Sequence, residues 1–587
     1  MHSATAMRRS RSAVHVLICL LLIVVGAVGS SLVQTGGGHI SVQGLMIPGK
    51  DGAVASADLF RPDTATAERK APLIIVTPGF QRTKETQISY SLELARRGYV
   101  TLVVDPYNQG ESTSQPPHSD DPSIQPAIDY VSRTDTLNYV DKTKIGITGH
   151  SAGGSQVRRM AAEYGAKEVK ALKKAKSPDS PGGTTITKEE REKAEKLNPI
   201  RSVFISGWLQ KLNAKKFKNV RSNVGIGYAL YDEGGYRNKN HNGDLRNAPE
   251  AIAVINSGLP KSQHVNHVVI GKGYGSAADR TYRVAYNDHT IHPFQPLTPS
   301  AIGSMIQFFD DTIGAPHQMS TTNQTWWLKE LFNGLSLIAA LVMLVPLTKL
   351  LLTIPWFSGA RSELSPTTSA PSTAVFWGAL VLQAAVAAVT YVSMPIALWL
   401  VVNGVLGLVI AWILLRHGQA GAPGVRMSWP QTVRTIALAL VVMTVFHVIL
   451  GIVHGFFHVD YRLFVLAIRP LTSHGFLTAL TVVPVLFLFL PANSLLVAAP
   501  SDSCRRSGIL LGLAAPVGLT VILVIQYTTL FSTGTVFWRT KWMQVMTLWS
   551  LLPALIVIPL FHRALHRATG RVWLGPILMA AVLALMV

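Results

Sequence analysis

The sequence predicts an α/β domain, a mostly parallel sheet with helices on both faces, followed by an all-α multi-pass bundle of transmembrane helices. Three observations carry the prediction. Between residues 40 and 320, short apolar runs alternate with helical patterns, as successive βαβ units do. From residue 331 the apolar runs lengthen to about twenty residues, enough to cross a bilayer. Charged residues make up only 14% of the chain against 48% hydrophobic, whereas a soluble protein carries about a quarter charged.

At the N-terminus, Arg8, Arg9 and Arg11 precede an apolar stretch from Ala13 to Val33. A positive flank before such a run reads as a signal anchor or a signal peptide over residues 1–37, and Gly29-Ser30-Ser31 offers a cleavage point. Either reading exports the domain after it. Residues 38–320 form the α/β domain. It opens with a hairpin: Ile40 to Leu45, a Gly49-Lys50-Asp51-Gly52 turn, then Val54 to Leu59. Six further runs read as strands: 73–76, 100–104, 144–148, 203–205, 224–230 and 283–286. Residues 167–197 are rich in Lys and Glu and read as a solvated, charged insertion, with anionic lipid headgroups as a second reading.

Residues 321–587 form the transmembrane domain of about eight helices. Apolar runs fall at 331–353, 374–394, 396–416, 433–455, 475–498, 508–531, 542–561 and 571–587, the last marginal in length. Trp326 and Trp327 precede the first, where interfacial aromatics are expected. Arg361, then Arg416, Arg426 and Arg434, then Arg505 and Arg506, then Arg563, Arg567 and Arg571 occupy alternate loops, on the side of Arg8 and Arg9. The positive-inside rule makes that side cytoplasmic. The α/β domain is then expected outside, on a multi-pass protein of the cell membrane. Arg462, Arg469, Arg539 and Lys541 run against the trend.

The formal charge of +21 arises from those loops and the insertion. No nucleic-acid-binding motif accompanies it, so a nucleic-acid partner is not expected. The two cysteines, Cys19 and Cys504, give no disulfide framework and no Cys-rich zinc site.

The chemistry-bearing motif is Gly149-His150-Ser151-Ala152-Gly153. It comes after an apolar run and precedes a helical segment, the strand–turn–helix context that a nucleophile elbow needs. With this motif the domain resembles the α/β-hydrolase superfamily, in particular its dienelactone-hydrolase-like and esterase-like branches, over residues 40–313. The resemblance implies Ser151 as nucleophile and the Ala152 amide as one oxyanion donor. It places the second donor in Thr77-Pro78-Gly79-Phe80-Gln81, with the Phe80 amide as the natural candidate, where many relatives have His-Gly instead of Pro78-Gly79. The stretch from Asp105 to Gly110 resembles the family's structural Asp-x-x-x-x-Gly turn.

The family's chain order then asks for an acid and a histidine. Asp232, after the strand that ends near Leu230, is the candidate acid, with Glu233 as its neighbour and alternative. The histidine lies in Ala285–Pro293, which offers His292 and His289; the distance to the final helix, capped near Thr298-Pro299, favours His292. The expected activity is cleavage of an ester-type acyl bond in a small-molecule or lipid-like substrate, with membrane lipids as surroundings and no cofactor or metal. Two rival readings are a transporter or lipid carrier with a subordinate hydrolase domain, and a catalytically inactive binding module. His447, His454 and His458 share one helix face near Asp460 and read as interfacial residues.

Overall fold

A computed structural model describes residues 2–176, 185–363, 373–417, 424–468, 473–498 and 505–585. Residues 177–184 of the charged insertion, Arg469 and Cys504 lie outside the described residues. The chain divides into two compact units, one of Leu32–Lys329 with Thr529–Arg539, the other of the remaining segments.

In the first unit, β1 (Ile40–Pro48) and β2 (Val54–Pro62) pair antiparallel across a tight turn. Asp51 and Gly52 both take positive φ there, 51° and 76°, and the Ala53 amide closes the turn on the Lys50 carbonyl at 2.9 Å. The remaining strands are β3 (Ala71–Thr77), β4 (Val100–Val104), β5 (Val140–His150), β6 (Ile200–Ser206), β7 (Asn223–Tyr231) and β8 (Arg283–Ile291). They form one eight-stranded sheet of order β1-β2-β4-β3-β5-β6-β7-β8, parallel from β4 to β8. All six runs picked out as strands fall inside these elements.

A strand buried on both faces needs apolar residues at every position, and β3 has them. Leu73 and Ile75 enter one core cluster, and Ile74 and Val76 enter the other, as the two-residue side-chain period requires. The helices divide likewise. In chain order after α1 (His2–Gln34), they include α2 (Ile88–Arg96), α3 (Ile124–Arg133), α4 (Ala152–Ala175), α5 (Lys188–Glu195), α6 (Ala214–Phe217), α7 (Pro249–Asn256) and α8 (Pro299–Thr312). Leu92 of α2 and Met305 of α8 pack against the face of Ile74; Ile128 of α3, Met160 of α4 and Val254 of α7 pack against the other. This is the α/β-hydrolase fold.

Two sequence expectations shift. The charged segment from Lys167 to Ala175 is the end of α4 itself, and Glu168 in it is buried against Asn198 at 2.9 Å. Trp326, expected at a membrane interface, is instead buried in the core of the α/β unit, and its amide donates to Glu93 Oε1 at 2.9 Å. An indole ring that finds an apolar pocket on one side and polar partners on the other does not need a headgroup region.

Eight described helices are long and apolar enough to cross a membrane: Arg9–Gln34, Trp326–Leu351, Ala374–Ser393, Ile396–Arg416, Trp429–Phe457, Ala479–Ala498, Ala514–Thr533 and Leu548–Thr569. A ninth apolar helix, Leu574–Ala584, is shorter. Many of their outward side chains are large and apolar, such as Leu17, Val381 and Leu440, the surface that lipid rather than water covers. Polar groups turn inward and pair: the Tyr391 hydroxyl donates to the Gln544 carbonyl at 2.8 Å, and the Asn493 amide to that of Gly512 at 2.9 Å. The helix Trp429–Phe457 stops just before His458, which caps it at φ 49°.

Candidate active site

The site is built at the ends of β5, β7 and β8. Ser151 stands between β5 and α4 with φ 56° and ψ −118°, a conformation that costs a non-glycine residue of order 1–3 kcal/mol. Surrounding packing holds it: the Ser151 amide donates to the Ser206 carbonyl at 2.9 Å. The flanking glycines leave no room for a side chain. A Cβ on Gly149 would lie 2.6 Å from the Gly153 carbonyl oxygen, and one on Gly153 would lie 2.5 Å from that of Pro78. The Gly-x-Ser-x-Gly spacing therefore reflects close passage of three backbone segments.

Asp232 and His292 meet through strand register. Tyr231 of β7 pairs with Ile291 of β8, so the next residue of each strand lies side by side. His292 Nδ1 is 2.6 Å from Asp232 Oδ2, and His292 Nε2 is 2.8 Å from the Ser151 hydroxyl. The other Asp232 oxygen accepts from the Gly234 amide at 2.8 Å. The structure thus brings Ser151, Asp232 and His292 together. His289 is exposed, with its ring beside Tyr231 at a centroid distance of 6.2 Å.

Burial of His292 disfavours its charged form, but the charge and hydrogen bond of Asp232, joined by the charge of Glu233, outweigh it and leave the pKa raised.

The loop Pro78–Gln81 runs against the elbow: a Cβ on Gly79 would come within 2.9 Å of Ser151 Cβ. Phe80 comes next with its ring exposed, and Gln81 takes φ 56°. The loop is tied down beyond. Asp105, fully buried, accepts from the amides of Lys84 at 2.7 Å and Glu111 at 3.0 Å. Gly110 closes the turn at φ 58°, where a Cβ would strike the Asp105 carboxylate. Ala152 is the first residue of α4.

Two contacts were not anticipated. Glu233, weighed only as an alternative acid, accepts from the His292 amide at 2.9 Å, so both adjacent carboxylates bear on one histidine. Its place beside Asp232 was the available signal. His150 packs its buried ring 4.7 Å from that of His292, and burial, with the charge of His292, pushes its pKa well below the ordinary imidazole value. Packing of the elbow's own histidine against His292 could be inferred from Gly-His-Ser only with the fold in hand.

The strand order and the helices on both faces are those of the α/β-hydrolase fold. Residues 27–181 match the PETase family, described as PET hydrolase-like; that span includes Phe80 and Ser151 but ends before Asp232 and His292. An uncharacterized Escherichia coli protein is 32% identical over 123 residues, which is 20% of this chain and 39% of the relative. An uncharacterized Pseudomonas aeruginosa protein is 33% identical over 128 residues, 21% of this chain and 33% of the relative. The chain thus spans well under half the length of either. Among solved structures, brefeldin A esterase is 12% identical with TM-score 0.29, covering 47% of this chain and 76% of that one. An esterase of Pyrococcus furiosus is 11% identical with TM-score 0.27, covering 47% and 94%.

Proposed function

We propose that the chain is a membrane-bound serine hydrolase that cleaves an ester-type acyl bond on the extracytoplasmic side of the cell membrane. One observation carries the reading: a continuous hydrogen-bonded path from the Ser151 hydroxyl through the His292 ring to Asp232, at a serine held at positive φ. The similarity to PET hydrolase-like proteins over residues 27–181 supports ester chemistry.

In this mechanism Ser151 Oγ attacks the substrate carbonyl while His292 Nε2 takes the hydroxyl proton. Asp232 accepts the hydrogen bond from His292 Nδ1–H, fixes the tautomer and stabilises the imidazolium. The Ala152 amide, at the start of a helix, and the Phe80 amide receive the charge on the tetrahedral oxygen. His292 then returns its proton to the leaving alkoxide, freeing an alcohol and an acyl-Ser151. Water, deprotonated by His292, releases the acid. Attachment to a multi-pass bundle favours a lipid-like or envelope-borne ester, and the alternating Arg-rich loops support an outward-facing domain.

Fluorophosphonate labelling of membranes containing the full chain tests this reading. Labelling is expected in the natural chain and in His289→Ala, and is expected to vanish in Ser151→Ala and fall steeply in His292→Ala. A natural chain that neither labels nor hydrolyses short acyl esters sinks the proposal.

A further inference from the structure

The hydrolase unit holds a cavity that hydrolysis at Ser151 leaves unused. It lies where the β1–β2 turn, the loop after β4 and α3 meet, and has a volume of about 430 Å³, within the range of about 300–1,000 Å³ that small-ligand sites span. β2, β4 and β3 stand between β1 and β5, the strand that ends at the elbow. Four steps of about 4.8 Å across the sheet are too far for one small molecule to reach both places.

The lining combines apolar surface, open hydrogen-bonding groups and matched charges. Ile47, Pro116, Pro126 and the rings of Tyr107 and Tyr130 supply the apolar surface. Tyr107 is 7% exposed, and its hydroxyl makes no hydrogen bond among the described residues. Gln125 Oε1 is buried and also has no partner among them. A Cβ on Gly49 would strike the Tyr107 hydroxyl, so glycine is what leaves the phenol its place. The charges, by contrast, are taken. Lys50 pairs with Asp121, and Arg133 lies 3.7 Å from Asp129. Arg159, which approaches Asp121 from outside the lining, has its own carboxylate in Glu163 at 2.6 Å.

An ion gains little where each lining charge already has its counter-charge. A plain acyl chain would leave the phenol and the amide without hydrogen bonds. A peptide held through its backbone would run along the free edge of β1, whereas this cavity sits at the hairpin tip against α3. A neutral sugar suits the whole lining. Its hydroxyls both donate and accept, so they serve Tyr107 and Gln125 whichever way the amide is turned. Its C–H faces lie well on proline and tyrosine rings, and Pro126 and Tyr130 stand one turn apart on the same face of α3.

We propose that this cavity binds a neutral sugar unit, its hydroxyls bonded to Tyr107 and Gln125 and its ring against Pro126 and Tyr130. A free monosaccharide and one unit of a glycan share this chemistry. The site is independent of the hydrolase reading, because no residue of the Ser151 constellation contributes to it.

The test uses the purified full chain in a sugar-free polyoxyethylene detergent, with binding read by ligand-observed NMR. The probes are neutral tetrasaccharides of glucose, mannose, galactose and N-acetylglucosamine, their monosaccharides, tetragalacturonate and tetraalanine. At least one neutral sugar is expected to bind. The double variant Y107F/Q125A is expected to weaken it at least about fivefold, the worth of one neutral hydrogen bond. Unchanged melting shows that the variant still folds; if it does not fold, Q125A alone is read the same way. Binding is read without turnover, so a chain that fails to label at Ser151 still tests the site. Absence of binding by every neutral sugar, preference for the uronate or the peptide, or affinity that survives loss of both polar groups overturns the proposal. A tetrasaccharide that binds more tightly than its monosaccharide assigns the site to a glycan, and equal affinity assigns it to a free sugar.

Discussion

His292 feels burial on one side and two carboxylates on the other. Its pKa is raised, and in the proposed mechanism only the neutral ring accepts a proton from Ser151. The acid limb of kcat/KM is therefore expected above the ordinary imidazole value of about pH 6.5. Asp232→Asn removes the dominant favourable charge, so that limb should move to lower pH while the rate at its plateau falls by about three to four orders of magnitude. Glu233→Gln keeps an acceptor for the His292 amide but removes a charge. Its acid limb should also move down, with a smaller loss in kcat and little change in KM; an unchanged limb would show that Glu233 does not tune the ring. Viewed as stability, a raised histidine pKa contributes below the unfolded value and is lost as pH rises through the folded one. Ser151 was legible because an elbow is a local pattern. The distance to the final helix favoured His292 over His289, but the irregularity in the β7–β8 ladder between Ala229 and Tyr231 that precedes the Asp232–His292 contact is not encoded in sequence spacing.

At the scale of elements, tight backbone contact recurs in both units. Gly153→Ala drives a Cβ against the Pro78 carbonyl oxygen, a neighbour that moves only with the loop proposed to supply the Phe80 amide. About 1–3 kcal/mol of stability should be lost, as for other overpacked sites, and the proposed ester hydrolysis should fall further than stability alone explains. Denaturant unfolding beside ester turnover separates the two. In the bundle, α1 packs on the helix Trp326–Leu351 (α9) through small residues. A Cβ on Gly26 would lie 2.7 Å from the Phe332 carbonyl oxygen, and the Ser30 hydroxyl donates to Asn333 at 2.6 Å. Small residues that let backbones approach are what holds helices together in lipid. Cleavage near Ser30 would strip this face from α9, so N-terminal sequencing of the purified chain is expected to find α1 retained, and Gly26→Leu should lower its melting temperature in detergent. Hydropathy revealed the helix, but its fate depends on a partner some three hundred residues away, which no local pattern names.

Across the whole molecule, the side of the membrane proposed for Ser151 rests on charge counting, and one of the residues that runs against the count, Arg462, is buried in an ion pair. Arg462 is 1% exposed and is ion-paired with Glu330, whose second oxygen accepts from the Phe464 amide at 2.9 Å. The assignment therefore rests on the larger number of cations in the alternate loops, Arg416, Arg426 and Arg434 among them. The same pairing makes Arg462→Ala costly, by about 3–5 kcal/mol, because Glu330 stays behind as an uncompensated buried charge; Glu330→Gln in that background should recover part of the loss. Topology itself can be read with single cysteines in a chain carrying Cys19→Ser and Cys504→Ser. Lys188→Cys lies on an exposed face of the hydrolase unit and Arg416→Cys at an exposed end of a spanning helix. A membrane-impermeant maleimide is expected to label the first in intact cells and the second only after permeabilisation. The reverse order would put Ser151 in the cytoplasm, and the substrate would then have to be an ester reached from inside the cell.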